Sequence, residues 1–244
     1  MKPLIVANWK MNPPTLKEAK LLFNSVKKGL KNIKNTEVVI CPPFIYIPTF
    51  QHSNIRTIKL GAQDCFWRKK GAFTGEISPK MLKNLGCEYI IVGHSERRAL
   101  GETGEMINKK IKAAIKAKLK PILCIGETFK ERKKGKTFKV LKNQLQTDLR
   151  SILNLKSEIL NLIIAYEPVW AIGTGNPCDP LEAKKVLLFL RNFFKKQLIL
   201  YGGSVNSKNA TPYIKEGQFQ GFIIGGASLK PQEFIKIVKE VGRA

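Results

Sequence analysis

The chain has 244 residues, 43% hydrophobic and 25% charged, a balance that excludes a disordered polymer and suits one large core. Lysine and arginine number 43 against 18 acids, a formal charge of +25 that favours anionic partners: phosphorylated small molecules, nucleic acid or anionic lipid. No apolar run approaches the roughly 18 residues of a membrane span, and the run behind Met1-Lys2-Pro3 is too short for a signal peptide, so a cytoplasmic protein with no membrane contact is expected.

Strand-like apolar runs come in the order Leu4–Ala7, Val38–Cys41, Lys59–Ala62, Tyr89–Gly93, Pro121–Ile125, Leu162–Glu167, Leu198–Tyr201 and Gly221–Gly225. Helical spacings of three and four separate them. Leu16, Ala19, Phe23, Val26 and Leu30 form one such face, and Ile107, Ile111, Ala114 and Ile115 a second. Phe138, Leu141, Leu145, Leu149 and Ile152 form a third; Ala183, Val186, Leu187, Leu190 and Phe194 a fourth; Phe234, Ile237, Val238 and Val241 a fifth. Thr15-x-x-Glu18 reads as a capping box, and Asp179-Pro180-x-Glu182 and Ser78-Pro79 as helix starts. Strict alternation of strand and helix implies parallel strands with crossovers. Eight units without a linker predict a single closed (β/α)8 barrel domain over residues 1–244. An open doubly wound sheet is the runner-up. It would bring a glycine-rich phosphate loop after the first strand, where Asn8-Trp9-Lys10 stands instead. Gln63–Ser78 is too long for a plain connection and carries Phe66, Trp67 and Phe73, which suggests a partner surface.

A barrel places its site on the loops after the strands. Lys10 follows the first strand and His94 the fourth. Glu167 ends the sixth on a stem stiffened by Pro168, ahead of the small, amide-rich stretch Ala171–Gly175. Glycine pairs follow the seventh and eighth strands, Gly202-Gly203 and Gly225-Gly226. Either pair alone reads as a tight turn; together with Gly173 they favour a phosphate pocket. Gly93-His94-Ser95-Glu96-Arg97 has Arg97 where a serine hydrolase elbow needs glycine, so that chemistry is rejected. Cys41, Cys65, Cys87, Cys124 and Cys178 are odd in number and widely spaced, and only His52 and His94 could join them, so neither a metal nor a cofactor is expected. One carboxylate, one imidazole, one ammonium and an anion pocket suit proton transfer beside the carbonyl of a small phosphorylated substrate.

These motifs, in this order, resemble the triosephosphate isomerase family: Asn8-Trp9-Lys10, Gly71–Ser78, Gly93–Arg98, Cys124–Glu127, Tyr166–Gly175, Tyr201–Val205 and Gly225–Leu229. The resemblance implies interconversion of dihydroxyacetone phosphate and glyceraldehyde 3-phosphate, in glycolysis and gluconeogenesis. It implies Glu167 as the base, its basicity raised by a dry pocket. His94 is implied as a neutral electrophile with a pKa lowered by a helix beginning near Ser95, and Lys10 with Asn8 as stabilisers of the enediolate. Gly173, Ser204, Gly225 and Gly226 would hold the phosphate. Glu96, Ser95 and Cys124 would organise the reacting groups from behind. Phe73, Thr74 and Gly75 would make a homodimer contact. Departures from the family pattern are the hinge Asn176-Pro177-Cys178, Asp64 after Gln63, Gln220 before Gly221, a segment one residue short after Arg98, and a brief link from Phe194 to Leu198. Two rivals remain: a non-catalytic barrel that binds anions, and a nucleic-acid binder driven by charge. The basic residues are dispersed over nearly every helix with no binding motif, so nucleic acid is expected to associate non-specifically if at all.

Overall fold

A computed structural model describes residues 2–51, 58–152 and 158–244. His52 lies outside the described residues. The strands are Leu4–Asn8 (β1), Glu37–Cys41 (β2), Ile58–Ala62 (β3), Cys87–Val92 (β4), Lys120–Ile125 (β5), Ile163–Tyr166 (β6), Ile199–Tyr201 (β7) and Gly221–Ile224 (β8). They pair in sequence order, all parallel, and β8 closes on β1 to make a barrel.

Closure explains why the strands read as continuous apolar runs. Successive side chains point to opposite faces, and in a barrel wrapped by helices both faces are dry. In β1, Leu4 and Val6 fill the interior while Ile5 and Ala7 face the helices. In β5, Ile122 and Cys124 point inward and Leu123 and Ile125 outward. The register pairs Ile125 with Tyr166 and Tyr166 with Tyr201, so the residues just beyond β5, β6 and β7 share one rim.

The helices are Leu16–Leu30 (α1), Ile47–Phe50 (α2), Pro79–Asn84 (α3), Ser95–Ala99 (α4), Gly104–Lys116 (α5), Phe129–Lys133 (α6), Thr137–Asp148 (α7), Pro180–Arg191 (α8), Ala210–Lys215 (α9) and Pro231–Arg243 (α10). In α1, Ala19, Leu22, Phe23, Val26 and Leu30 are buried, and each large side chain stabilises the packing by about 1.5–3 kcal/mol. Asp179 accepts from Leu181 N and Glu182 N, and Ser78 from Met81 N, so both expected starts are capped. Thr15 accepts from Glu18 N at 3.3 Å without a recorded return bond from Glu18. The box that closes on both sides is Thr128 with Glu131. Among the described residues, no helix is long and apolar enough to cross a membrane.

Several sequence expectations shift. Leu149 and Ile152 are buried but lie past α7, and Phe194 is buried past α8. Phe138 and Leu16 are exposed, Phe138 lying against Phe189 with ring centroids 5.0 Å apart. The atypical Asp64 receives Lys110 Nζ at 2.7 Å and Arg97 Nε at 3.0 Å, and Lys110 also bonds Glu102, so the extra acid is neutralised. Gln220 accepts from Arg191 and from Ile199 N at 2.9 Å, tying the start of β8 to β7 with a neutral amide.

Candidate active site

Glu167 stands immediately past β6 and is buried. Its N–H donates to Ile125 O at 2.8 Å, and Gly202 N donates to Tyr166 O at 2.9 Å, so ladder bonds hold it from both sides. The neighbouring strand ends must be glycine. A Cβ on Gly126 would come within 1.8 Å of the Glu167 carbonyl oxygen, and one on Gly202 within 2.9 Å of its Cγ. The acid therefore occupies the space two absent side chains leave. Its Oε1 lies 3.4 Å from His94 Nε2, and its buried Oε2 has no hydrogen-bond partner in the protein.

His94 is the N-cap of α4, and its Nδ1 accepts the Glu96 N–H at 3.2 Å. An accepting Nδ1 carries no proton, which places the single proton of the neutral ring on Nε2, facing Glu167. Helix α4 begins at Ser95 as expected, yet the expected pKa shifts are corrected on both members of the pair. Burial lowers the His94 pKa, but the Glu167 carboxylate raises it and prevails. Burial likewise raises Glu167, but His94 outweighs it and holds the carboxyl below its ordinary range. With the acid resting on the imidazole, the pair stabilises charge on both partners.

Lys10 adopts φ 55°, a left-handed backbone uncommon outside glycine. That turn is held by its N–H donating to Asn8 Oδ1 at 3.1 Å and its carbonyl accepting from Gln63 Nε2 at 2.8 Å. Its ammonium reaches Glu96 Oε1 at 2.5 Å, and the Glu96 backbone N–H donates to His94 Nδ1, so Glu96 ties Lys10 and His94 together.

A cavity of about 370 Å³ brings together Asn8, Lys10, His94, Glu167, Gly173, Ser204, Gly225 and Gly226. Ser95, Glu96 and Cys124 do not line it. Cys124 is buried inside the barrel with its thiol against Glu167, and burial first and the carboxylate second push the thiol pKa well up. Phe73, Thr74 and Gly75 are exposed on the 63–78 loop, away from the cavity. Lys230 lines the cavity too and was not anticipated.

The flap over this cavity is tied at both ends. Ser204 Oγ donates to Ala171 O at 2.6 Å and accepts from Gly175 N at 3.1 Å. Cys178 N donates to the Tyr201 hydroxyl at 3.0 Å, and Tyr213 OH donates to Cys178 O. At the other end Glu127 is fully buried. It accepts from Tyr166 OH at 3.2 Å, Trp170 Nε1 at 3.1 Å and Arg132 Nη1 at 3.3 Å, while the Arg132 guanidinium sits 4.8 Å over the Trp170 ring.

The family model described as triosephosphate isomerase matches residues 3–241. The chain belongs to the triosephosphate isomerase family. It is 46% identical over 249 residues to the triosephosphate isomerase of Aquifex aeolicus, covering 98% of this chain and 99% of that protein. It is 47% identical over 252 residues to one from Dehalococcoides mccartyi, covering 98% and 97%. The crystal structure of the Bartonella henselae triosephosphate isomerase superposes with a TM-score of 0.86 at 34% identity, covering 100% of both chains. Within this triosephosphate isomerase fold, sequence reasoning left Glu127, Arg132, Gln63 and Lys230 without roles. The signals for Glu127 were its place in the Cys124–Glu127 motif and an acid directly after Gly126, at the end of a strand whose neighbour carries Glu167.

Proposed function

We propose that the protein interconverts dihydroxyacetone phosphate and D-glyceraldehyde 3-phosphate, the aldose–ketose isomerisation of its family in glycolysis and gluconeogenesis, in a cytoplasmic setting. The observation that carries this reading is one cavity holding the Glu167 carboxylate 3.4 Å from His94 Nε2, lined also by Lys10, Gly173, Ser204, Gly225 and Gly226. Glu167 removes a proton from the carbon beside the carbonyl. The C–H electron pair becomes the enediolate double bond and the carbonyl pair moves onto oxygen. The protonated Glu167 then returns the proton to the neighbouring carbon while the hydroxyl proton on the first carbon's oxygen passes to the other oxygen by way of His94 Nε2, so the new carbonyl and hydroxyl form and the carboxylate is regenerated. His94 donates from Nε2 to the oxygens, and the Lys10 ammonium offsets their growing charge. When Glu167 swings from His94 to carbon, the carboxylate that raises the imidazole pKa withdraws, and burial then favours the neutral ring. Gly173, Ser204, Gly225 and Gly226 hold the phosphate through backbone N–H groups, and the closed flap keeps water from the intermediate.

The protein acts as a homodimer through the loop bearing Phe73, Thr74 and Gly75. Its Phe73 ring is 41% exposed and braced on Phe66 at 4.6 Å, an apolar surface that a partner would cover. A coupled isomerase assay tests the central reading. Glu167→Asp, which withdraws the carboxylate by one methylene, lowers kcat on the order of 10²-fold or more with KM little changed. Turnover that is undetectable in the unaltered protein, or indifferent to Glu167, would overturn it. Sedimentation equilibrium tests the dimer, and a monomer at micromolar concentration would remove that part.

A further inference from the structure

The dispersed charge of the sequence converges in one place. A groove of about 1100 Å³ on the outside of the barrel is lined by eight lysines, Arg68 and Trp67, with no carboxylate among its lining residues. Three separate elements supply the charge. Lys69 and Lys70 come from the stem of the 63–78 loop, Lys80 and Lys83 from α3. Lys109, Lys112 and Lys116, spaced at i, i+3 and i+7, come from one face of α5. All are exposed, and only Lys109 has an ion-pair partner among the described residues, Glu105 at 2.8 Å.

Helix electrostatics accounts for part of this pattern and not the rest. Lys116 sits in the last turn of α5, where a cation is stabilised by the carbonyl end. Lys80 sits in the first turn of α3, where a cation is disfavoured. Lys118 adopts φ 60°, a left-handed position that glycine or asparagine fills at lower cost. Like charges gathered this closely repel in the free protein, and a polyanion would relieve that repulsion. Trp67 adds a different chemistry. One side of its ring packs on Phe66, with centroids 4.0 Å apart, and the Lys109 ammonium lies 5.7 Å from its centroid. An aromatic plane under a mobile ammonium can exchange that cation for a stacked base, while the ammonium turns to a phosphate.

We propose that this groove binds single-stranded nucleic acid without sequence preference. The lysines track successive phosphates and Trp67 stacks one base. The groove is built of long flexible ammoniums from three elements with no backbone cradle, which suits a polymer running along it better than a single nucleotide fixed in one pose. None of its residues lines the catalytic cavity.

The test is fluorescence anisotropy of the intact protein with a labelled 15-mer of uridylate at two salt concentrations. Four phosphate contacts predict that affinity falls about fiftyfold between 50 and 200 mM salt, from a slope of roughly −0.7 per contact. The double variant K83E/K112E is expected to lose at least tenfold in affinity and keep full isomerase activity. The control K236E/K239E makes the same change of net charge on α10, across the barrel, and is expected to lose less than threefold. Trp67→Leu should weaken the oligonucleotide by about fivefold or more and leave binding of long-chain inorganic polyphosphate unchanged. Equal losses in the groove and control variants would reduce the site to a diffuse coat and overturn the proposal. Affinity indifferent to Trp67, with polyphosphate bound as tightly, would overturn the nucleic-acid assignment in favour of a bare phosphate polymer.

Discussion

The cavity at the strand ends and the outer groove are both proposed to receive anions, and they are built in opposite ways. In the mouth two lysines line the cavity, Lys230 and Lys10, and Lys10, fixed in a left-handed turn by Asn8 and Gln63 and held on Glu96, shares that cavity with glycines at the ends of β7 and β8. In the groove eight lysines stand on flexible stems with one carboxylate partner between them. The mouth is ordered without a ligand, the construction that the proposed isomerisation needs if dipoles are to act on a charge that forms during the reaction. The groove orders itself on binding and can recognise only charge already present. The comparison teaches that an extreme net charge says little about where chemistry occurs; fixed geometry around a few polar groups decides that.

Single lysines should separate the two regions most widely. Lys10→Met removes a fixed charge from the mouth, and kcat/KM is expected to fall on the order of 10²–10³-fold. Lys112→Met removes a groove charge and should change kcat/KM less than twofold in the same assay. Similar effects from the two would erase the distinction. Stability sharpens the contrast next. Glu127→Ala leaves Arg132, Tyr166 OH and Trp170 N–H without their buried acceptor and should destabilise by about 3–5 kcal/mol in urea unfolding. Neutralising Lys112 relieves repulsion and should leave the midpoint unchanged or slightly higher.

How much of this was legible beforehand follows from the same physics. All eight strands could be read, because a strand buried on both faces writes its burial into every residue. The strand-end placement of Lys10, His94 and Glu167 followed from topology alone. Helix ends were less legible: Leu149, Ile152 and Phe194 stay buried after their helices stop, so apolar spacing outlives the helix. Phe138 kept the spacing but faces solvent beside Phe189, since periodicity ranks faces without saying what covers them. The acceptor role of Glu127 could not be read because its partners Tyr166 and Trp170 lie 39 and 43 positions away. The pKa directions of His94 and Glu167 needed the 3.4 Å distance between them, which no spacing encodes. The groove was invisible for the same reason: its lysines look dispersed until the loop, α3 and α5 fold against one another.

The pair at the mouth makes a pH prediction of intermediate size. Glu167 is held low by His94, so its contribution to stability is present above the unfolded-state carboxylate pKa and lost as pH falls through the folded value. His94 is raised by Glu167, so its contribution is present below the unfolded-state imidazole pKa and lost as pH rises through the folded one. In His94→Gln the charge that lowers Glu167 disappears while burial remains. The acid limb of kcat/KM, measured from pH 4 to 9, should therefore move to higher pH. A limb that stays in place or moves down would mean that His94 does not set the ionisation of the base.

The smallest effect concerns the flap, where fixed and flexible construction meet in one segment. Its C-terminal end is stiffened by Pro177, which biases Asn176 toward extended backbone, and it is clamped where Cys178 N meets the Tyr201 hydroxyl. Pro177→Ala keeps the clamp and frees the chain before it. A compatible proline reduces the freedom of the open chain by about 0.4–1 kcal/mol, so removing it should shift the balance toward the open flap about two- to fivefold. Turnover should change by no more than that factor, and relaxation-dispersion exchange rates should rise. Unchanged exchange would place the control of flap motion in the Tyr201 clamp, and Tyr201→Phe, which deletes the hydroxyl that accepts the Cys178 N–H, would then give the larger increase in opening.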